Sequence, residues 1–261
     1  MKQSSSTVGC IQLGCADLII QINSHRTLLG VVEGFVSASG YMLSRPKHPD
    51  FILDLEKVRH VPEGDCLHGC FVDGVRMSAH FLEAQRIDVK VEKSDIWSVS
   101  AAVGLSLAAV LPRVNGILIH ASGIELGGGG HIFVGPSGAG KSTIAENATG
   151  ARIIHDDRIA LRKKESTWKA FSVPLADNHG TVPGAYCASV MGIYILHKGK
   201  KLGLERRRKS VTFSQLIEQT ICPFDRVTDH VACVESLFLL LEDNDVEHLI
   251  FRRKSDFARL I

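Results

Sequence analysis

Gly135-Pro136-Ser137-Gly138-Ala139-Gly140-Lys141-Ser142-Thr143 is the stretch of this chain whose residue types and spacing can do chemistry. It fits G-x-x-x-x-G-K-[ST], a phosphate-binding loop. A tight loop of this kind turns its backbone N–H groups inward and makes a concave anion site. Glycines at 135, 138 and 140 permit positive φ and keep side chains out of the path of the phosphates. The helix that the loop opens adds the positive end of its dipole. Lys141 is expected to reach the β- and γ-phosphates, and the Ser142 hydroxyl to ligate Mg²⁺. The run therefore implies a bound nucleoside triphosphate, ATP with Mg²⁺. It does not say where the γ-phosphate goes.

Such a loop needs a strand before it and a helix after it. Gly130–Val134 reads as a short buried strand, and Ser142–Asn147 has helical composition until Thr149-Gly150 stops it. Upstream, Gly116–His120 reads as a strand, Ala121-Ser122-Gly123 as a turn and Ile124–Leu126 as a returning strand. Gly127–Gly130 then reads as a hairpin turn.

A second acid near the phosphates normally holds the metal. Two candidates compete. Leu239-Leu-Leu-Glu242-Asp243 has the look of an apolar strand ending in acid, or of a plain polar turn. Ile153-Ile-His-Asp156-Asp157 follows the loop helix on the next strand, which brings its carboxylates to the same sheet edge as the phosphates. The second pair is favoured. Asp157 could hold Mg²⁺, directly or through water, and Asp156 could accept the proton of an attacking hydroxyl. Two adjacent acids also repel, which raises the basicity of one of them. His120 ends the strand ahead of the loop's hairpin and is placed to tune or relay the proton of Asp156. The alternatives are an Asp-Asp turn and a satisfied strand-end histidine.

Composition narrows the setting. At 261 residues the chain can bury a full core, as one large domain or two smaller ones. A formal net charge of +2 gives no global pointer to nucleic acid. The opening Met-Lys-Gln-Ser-Ser-Ser has no apolar run behind it, so no signal peptide is expected. Ile96–Leu111 is apolar but falls short of the roughly 18–20 residues of a membrane span. It reads as a buried helix capped by Ser94 or Asp95 and ended by Pro112. Seven irregularly spaced cysteines read as reduced thiols in a cytoplasmic protein. Cys66, His68 and Cys70, with the close pair Cys10 and Cys15, could ligate zinc, but small buried residues at turns are the plainer account.

Residues 1–92 read as β-rich. Leu18–Ile22, the glycine-broken apolar run Leu28–Phe35, the alternating Asp50–Leu55 and Arg86–Glu92 carry that reading. Phe71–Met77 resembles a hairpin turning at Asp73-Gly74. Beyond the loop, strands are expected at Ala151–His155, Ile159–Arg162, Trp168–Val173, Gly192–His197 and Glu247–Arg252, with a helix at Phe213–Thr220.

Taken together, His120-Ala-Ser-Gly-Ile-Glu125, the Gly-rich 127–130, Ile132 to Ser142 and Ile154-His-Asp-Asp-Arg158 resemble the kinase domain of the HPr kinase/phosphorylase family and its looser relatives. Phosphoenolpyruvate carboxykinase shares that fold more distantly. The resemblance spans roughly residues 95–261, through Ser189–Leu196, Lys198-Gly-Lys, the helix near Phe213–Cys222 and the tail His248–Phe257. It implies Asp156 as catalytic acid/base, Asp157 and Ser142 as organisers of Mg²⁺, and His120 as support for Asp156. The bifunctional members carry a glutamate near the position of Ser189–Gly192 and a C-terminal signature for phosphorolysis. This chain has neither. Relatives lacking those parts include kinases of ribosomally made peptides, among them lasso-peptide precursors.

Asp177–Gly184 is polar and glycine-rich, either a loop that closes over the site or a surface turn. Lys198–Lys201 and Arg206–Lys209 are basic runs, either a solvated face or a means of steering an acidic substrate. No aromatics interleave with them, so nucleic acid is not the expected partner. The sequence reading is therefore an α/β fold, with a P-loop sheet of the HPr kinase and phosphoenolpyruvate carboxykinase type over residues 93–261 and a smaller β-rich region over 1–92. The expected activity is transfer of the γ-phosphate of ATP to a hydroxyl, a serine of a peptide or protein. An ATP hydrolase, a nucleotide sensor and a small-molecule kinase stay open, as does a homo-oligomer.

Overall fold

The computed structural model describes residues 9–62, 75–176, 184–222 and 227–252. It is a mixed α/β chain with two sheets. Two compact units divide it: Met1–Val110 with Pro174–Ala185, and Leu111–Val173 with Tyr186–Ile261.

The first unit carries a five-stranded sheet, in the order β1-β2-β3-β5-β4. Strands β1 (Gly9–Cys15) and β2 (Leu18–Ser24) form an antiparallel hairpin. Its two turn residues, Ala16 and Asp17, both have positive φ (53° and 57°), as a right-twisted two-residue hairpin requires. Strand β2 buries every second residue, the period-2 signal of a half-covered strand. Strands β3 (Phe51–Lys57), β4 (Met77–Glu83) and β5 (Arg86–Val91) complete the sheet.

The apolar run at 28–35 is not a strand. It lies in helix α1 (Arg26–Ser39), whose buried residues Leu28, Val32, Phe35, Val36 and Ser39 recur at helical spacing. The helix is the crossover that lets β2 and β3 run parallel. Gly30 and Gly34, read as breaks, sit in it with open space around them.

Helix α2 (Ile96–Val110) forms as expected. The Asp95 carboxylate accepts the Ser98 N–H at 2.8 Å, an N-cap, and Ser98 to Val110 are all buried. It packs on α1, β3 and β5, so it belongs to the first unit, and the division falls at residue 110 rather than at 93. With the 3₁₀ turn Leu111–Val114 the apolar stretch reaches 19 residues, longer than the sequence reading allowed. By length and composition it could cross a membrane, yet 83% of its apolar window is buried in protein.

The second unit carries an eight-stranded sheet, β10-β9-β6-β7-β11-β13-β12, with β8 beside β6. Its strands are β6 (Gly116–Leu126), β7 (Gly129–Val134), β8 (Arg152–His155), β9 (Arg158–Lys164), β10 (Thr167–Phe171), β11 (Cys187–Lys198), β12 (Gly203–Glu205) and β13 (Val246–Phe251). Strand β10 pairs with both β9 and the start of β11. The ladder β9-β6-β7-β11-β10 therefore closes on itself.

Ala121-Ser122-Gly123 is not a turn. Strand β6 runs unbroken for 11 residues. Its small residues are there because the surroundings are tight: a Cβ on Gly123 would meet Ile159 Cδ1 at 2.8 Å. The hairpin turn at Gly127 and Gly128 is present, both at positive φ.

Leu239–Asp243 is not a strand either. It ends helix α5 (Val227–Asp243), whose buried Cys233, Ser236, Leu237, Leu240 and Leu241 follow helical spacing. Helix α3 (Lys141–Asn147) falls where expected; α4 (Lys209–Ile217) overlaps the expected Phe213–Thr220 but begins and ends earlier, and Thr220 instead bridges to Ile119. The core of this unit gathers Ile117, Ile119, Ile132, Ile159, Leu161, Ile193, Leu216, Leu237 and their neighbours. Each such side chain stabilises the fold by about 1.5–3 kcal/mol. The hairpin at Asp73-Gly74, the cluster Cys66, His68 and Cys70, and Asp177–Pro183 lie outside the described residues.

Candidate active site

Strand β6 is the template of the site. Its Ala121 pairs with Val134, the last residue before the phosphate loop. The preceding residue, His120, pairs with Arg158 of β9, the first residue after the acid pair. Neighbouring strands lie about 4.8 Å apart, so strands on either side of β6 are about 10 Å from each other. One row of a single strand thus holds the phosphate loop and the Asp156-Asp157 turn side by side.

The loop is shaped by its glycines. Gly138 and Gly140 have φ of 73° and 107°, accessible to glycine and costly for other residues. A Cβ on Gly140 would meet the Phe251 ring at 2.6 Å, and one on Gly135 would meet Ala139 Cβ at 2.9 Å. The Ala139 N–H closes a turn on Pro136 O at 3.0 Å. Gly135 and Ala139 are buried, whereas Pro136, Ser137 and Gly138 are exposed. Ser142 and Thr143 follow in the first turn of α3, with Ser142 exposed.

Lys141 is buried, and its ammonium donates to Gly135 O at 2.8 Å and Pro136 O at 3.3 Å. Burial lowers its pKa, while Asp157 and then Asp156 pull it back up. The loop lysine and both carboxylates therefore share one electrostatic cluster.

His120 is bonded to Asp157, not to Asp156. His120 Nε2 lies 3.1 Å from Asp157 Oδ1, and the Arg158 guanidinium grips Oδ2. The Ala121 N–H donates to Asp157 O at 3.1 Å, which stitches the acid turn to β6. Burial alone would raise the Asp157 pKa. The His120 hydrogen bond, Arg158 and His155 outweigh it and bring the carboxyl to about 2.

His155 had no role in the sequence reading. It is buried, and its Nδ1 accepts the N–H groups of Asp157 (3.1 Å) and Arg158 (3.2 Å). Those bonds fix the turn that carries the acids. The signal available was its place one residue before the acid pair. Asp156 is half-buried, with Oδ1 shielded from solvent.

The rival acid is occupied elsewhere. Asp243, at the end of α5, accepts Trp168 Nε1–H at 2.8 Å and pairs with Lys163 at 2.7 Å. These partners make it a structural anchor on β9 and β10. Parts of the basic runs are also matched: Arg206 pairs with Asp245, Arg207 with Glu205, and Lys209 donates to Leu241 O. Cys10 and Cys15 stand five apart on β1, so they face opposite sides, one exposed and one buried. Among the described residues no cluster of three metal-ligating side chains occurs.

A histidine pair joins the carboxyl end of β11 (His197) to the middle of β13 (His248). These strands run parallel to each other, and β11 runs parallel to β7. His197 Nε2 and His248 Nδ1 are 2.8 Å apart, and His248 Nε2 is 3.0 Å from Thr212 Oγ1. His248 is fully buried. Burial first, then Arg207 and His197, lower its pKa to about 4 against a smaller opposing pull from Glu205.

No family profile matches the chain. No curated protein matches it either. Among the solved structures that the chain is similar to is the Hpr(Ser) kinase/phosphatase from Coxiella burnetii, at 12% sequence identity. That alignment covers 49% of this chain and 99% of the other, with a TM-score of 0.26.

Proposed function

We propose that this chain is an ATP-dependent kinase that transfers the γ-phosphoryl group to a hydroxyl, with a serine of a peptide or protein as acceptor. One observation carries the reading: β6 pairs at Ala121 with Val134, just before the Lys141 loop, and at His120 with Arg158, just after Asp156 and Asp157, so loop and acids stand side by side.

The residues fit a magnesium-bound triphosphate. The loop has no Cβ at 135, 138 or 140, and a Cβ at 135 or 140 would strike its neighbours. Asp157 is a hard oxygen donor kept ionised, as Mg²⁺ demands. Both its oxygens already have partners, His120 and Arg158, so it would take the metal through remaining lone pairs or a water. Ser142 is the hydroxyl that the loop motif offers to the same ion. When bound, Mg²⁺ neutralises charge on the phosphates and aligns them.

Lys141 would exchange the carbonyls of Gly135 and Pro136 for phosphate oxygens. Asp156 would accept the acceptor hydroxyl's proton at its carboxylate as the oxygen attacks in line. His120, Arg158 and His155 hold Asp157 and its turn. Phosphoryl transfer needs little beyond such positioning and charge stabilisation.

The test is incubation with Mg²⁺ and γ-labelled ATP, alone and with serine peptides encoded beside the gene. Asp156→Asn is compared with wild type. Label on a peptide serine, reduced about 10²- to 10⁴-fold in the variant, supports the reading. Free phosphate with no labelled acceptor, unchanged in Asp156→Asn, sinks it.

A further inference from the structure

Strand β6 carries a polar group that phosphoryl transfer, as derived above, does not use. Ser122 is fully buried, and among the described residues its Oγ has no hydrogen-bond partner. Alanine would fill the same place without a hydroxyl to desolvate, and a buried hydroxyl left unpaired works against folding. Ser122 lies two residues after His120, so the two side chains share a face of the strand. Ile124, two residues further on, lies in one core cluster with Ala139 of the loop and Ile144 of α3. That face is therefore the one that the phosphate loop and its helix cover.

Register sets Ser122 against the acid turn. His120 pairs with Arg158, and Gly123 pairs with His155. Ala121 and Ser122 lie between the β6 members of these pairs, and Asp157 and Asp156 lie between their partners. The register thus runs straight through the turn, in keeping with the bond from Ala121 N–H to Asp157 O. Asp156 stands opposite Ser122. Residues directly opposite have Cβ atoms about 4.5–5.5 Å apart, within reach of a hydroxyl on one and a carboxylate on the other. Asp156 Oδ1 is shielded from solvent. On the other side of β6, Ser122 pairs with Phe133, two residues before Gly135.

We propose that Ser122 is a positioning residue whose hydroxyl donates to the Asp156 carboxylate when nucleotide fills the loop. The inference rests on the kinase reading above. Hydrogen bonds around a reacting centre often align only once substrate is bound. A donor on the inner oxygen fixes the plane of the carboxylate and leaves the outer oxygen for the acceptor. There the acceptor's O–H bond breaks and its proton passes to Asp156. The acceptor oxygen bonds to the γ-phosphorus, the bond from that phosphorus to the bridging oxygen breaks, and ADP leaves with the electron pair. One face of β6 then holds both acids: His120 takes Asp157 and Ser122 takes Asp156.

The experiment compares the full wild-type chain with Ser122→Ala. A crystal structure of wild type with Mg²⁺ and the non-hydrolysable β,γ-imido analogue of ATP should place Ser122 Oγ about 2.5–3.0 Å from an Asp156 oxygen. In transfer of labelled phosphate, Ser122→Ala should lower kcat by about 10- to 100-fold and leave the KM for ATP unchanged. Its melting temperature should match wild type, since the free protein loses no bond at Oγ. Ser122→Ala combined with Asp156→Asn should be no slower than Asp156→Asn alone, because the hydroxyl acts through that carboxylate. A separation beyond about 3.5 Å in the loaded protein overturns the proposal. So does an unchanged kcat, or a double variant slower than Asp156→Asn. The crystal structure requires nucleotide binding but no turnover. A loaded protein without kinase activity therefore sinks the kinase reading and still decides the Ser122 contact, whereas a wild type that does not bind the analogue overturns both.

Discussion

His120 Nε2 and Asp157 Oδ1 stand 3.1 Å apart, joining β6, the hairpin partner of the strand that enters the glycine loop, to the turn that presents the acids. With Arg158 on the other oxygen, this contact keeps Asp157 ionised, at a pKa of about 2 against 3.8. A carboxyl with a lowered folded pKa contributes stability that is present above its unfolded value and lost as pH falls through the folded value. The advantage of wild type over Asp157→Asn in thermal unfolding should therefore be constant above about pH 5 and shrink between about pH 4 and pH 2. An advantage that persists unchanged to pH 2 would show that the pairing does not hold in solution.

His120→Ala leaves Asp157 with Arg158 alone. Partners of metal-holding groups typically matter by about 10- to 100-fold in affinity or activity. Titration of Mg²⁺ in the presence of ATP should show a loss in that range, with the fold intact by circular dichroism. His120→Gln, which can still donate a hydrogen bond, should recover part of it. Equal affinity in His120→Ala and wild type would remove His120 from the site.

Gly140→Ala faces two penalties: a φ of 107° and a Cβ 2.6 Å from the Phe251 ring. Gly128 shares the positive φ, at 85°, but has open space around it. Gly128→Ala should lower stability by only about 1–2 kcal/mol, the left-handed backbone cost. Gly140→Ala should lower it further and abolish nucleotide binding, read by melting with and without ATP. Similar melting and binding for the two variants would refute the steric account.

Asp243→Asn separates the two acid candidates. The variant weakens the bonds to Trp168 and Lys163 and should cost about 1 kcal/mol of stability. Turnover of ATP should stay near the wild-type value. A collapse of turnover in a folded Asp243→Asn protein would restore the acid at the end of α5 as a functional group.

His248 makes the fold acid-sensitive. Its folded pKa, about 4, lies below the ordinary 6.5, so the unfolded chain binds the extra proton between those values. Stability then rises with pH across that window and falls on acidification from about pH 6.5 to pH 4. Arg207, His197 and Glu205 act on it, and Thr212 bonds it. His248→Gln should flatten this part of the curve of melting temperature against pH. An identical slope in the variant would count against the buried pair.

Much of the phosphate-loop unit was legible because its signals are local. The glycine loop, its flanking strand and helix, and the Gly127-Gly128 turn each depend on backbone freedom at named residues. The apolar run of α2 with its Asp95 cap was legible for the same reason. Readings failed where a local signal had two meanings. Ala121-Ser122-Gly123 has turn composition, but small residues also suit a strand buried between neighbours. The apolar runs of α1 and at the end of α5 look like strands over a few residues. Only the longer 3.6-residue spacing of their buried positions marks them as helices. The role of His155 depends on a bond to backbone two and three residues on, which composition does not display.

The sequence by itself determined which groups are available: a glycine-rich loop with Lys141 and Ser142, a paired acid and a histidine. It also determined the order of strand, loop, helix and strand that carries them. The partners of those groups were decided by tertiary structure alone. His120 lies 37 residues from Asp157 and meets it because β6 pairs with β7 on one side and β9 on the other. Asp243 lies 75 residues from Trp168 and is drawn away into an anchor by α5 packing on the sheet. Pairings at such separations are set by strand register and by the burial of whole faces. Those are collective properties of the folded chain, not of any segment of it.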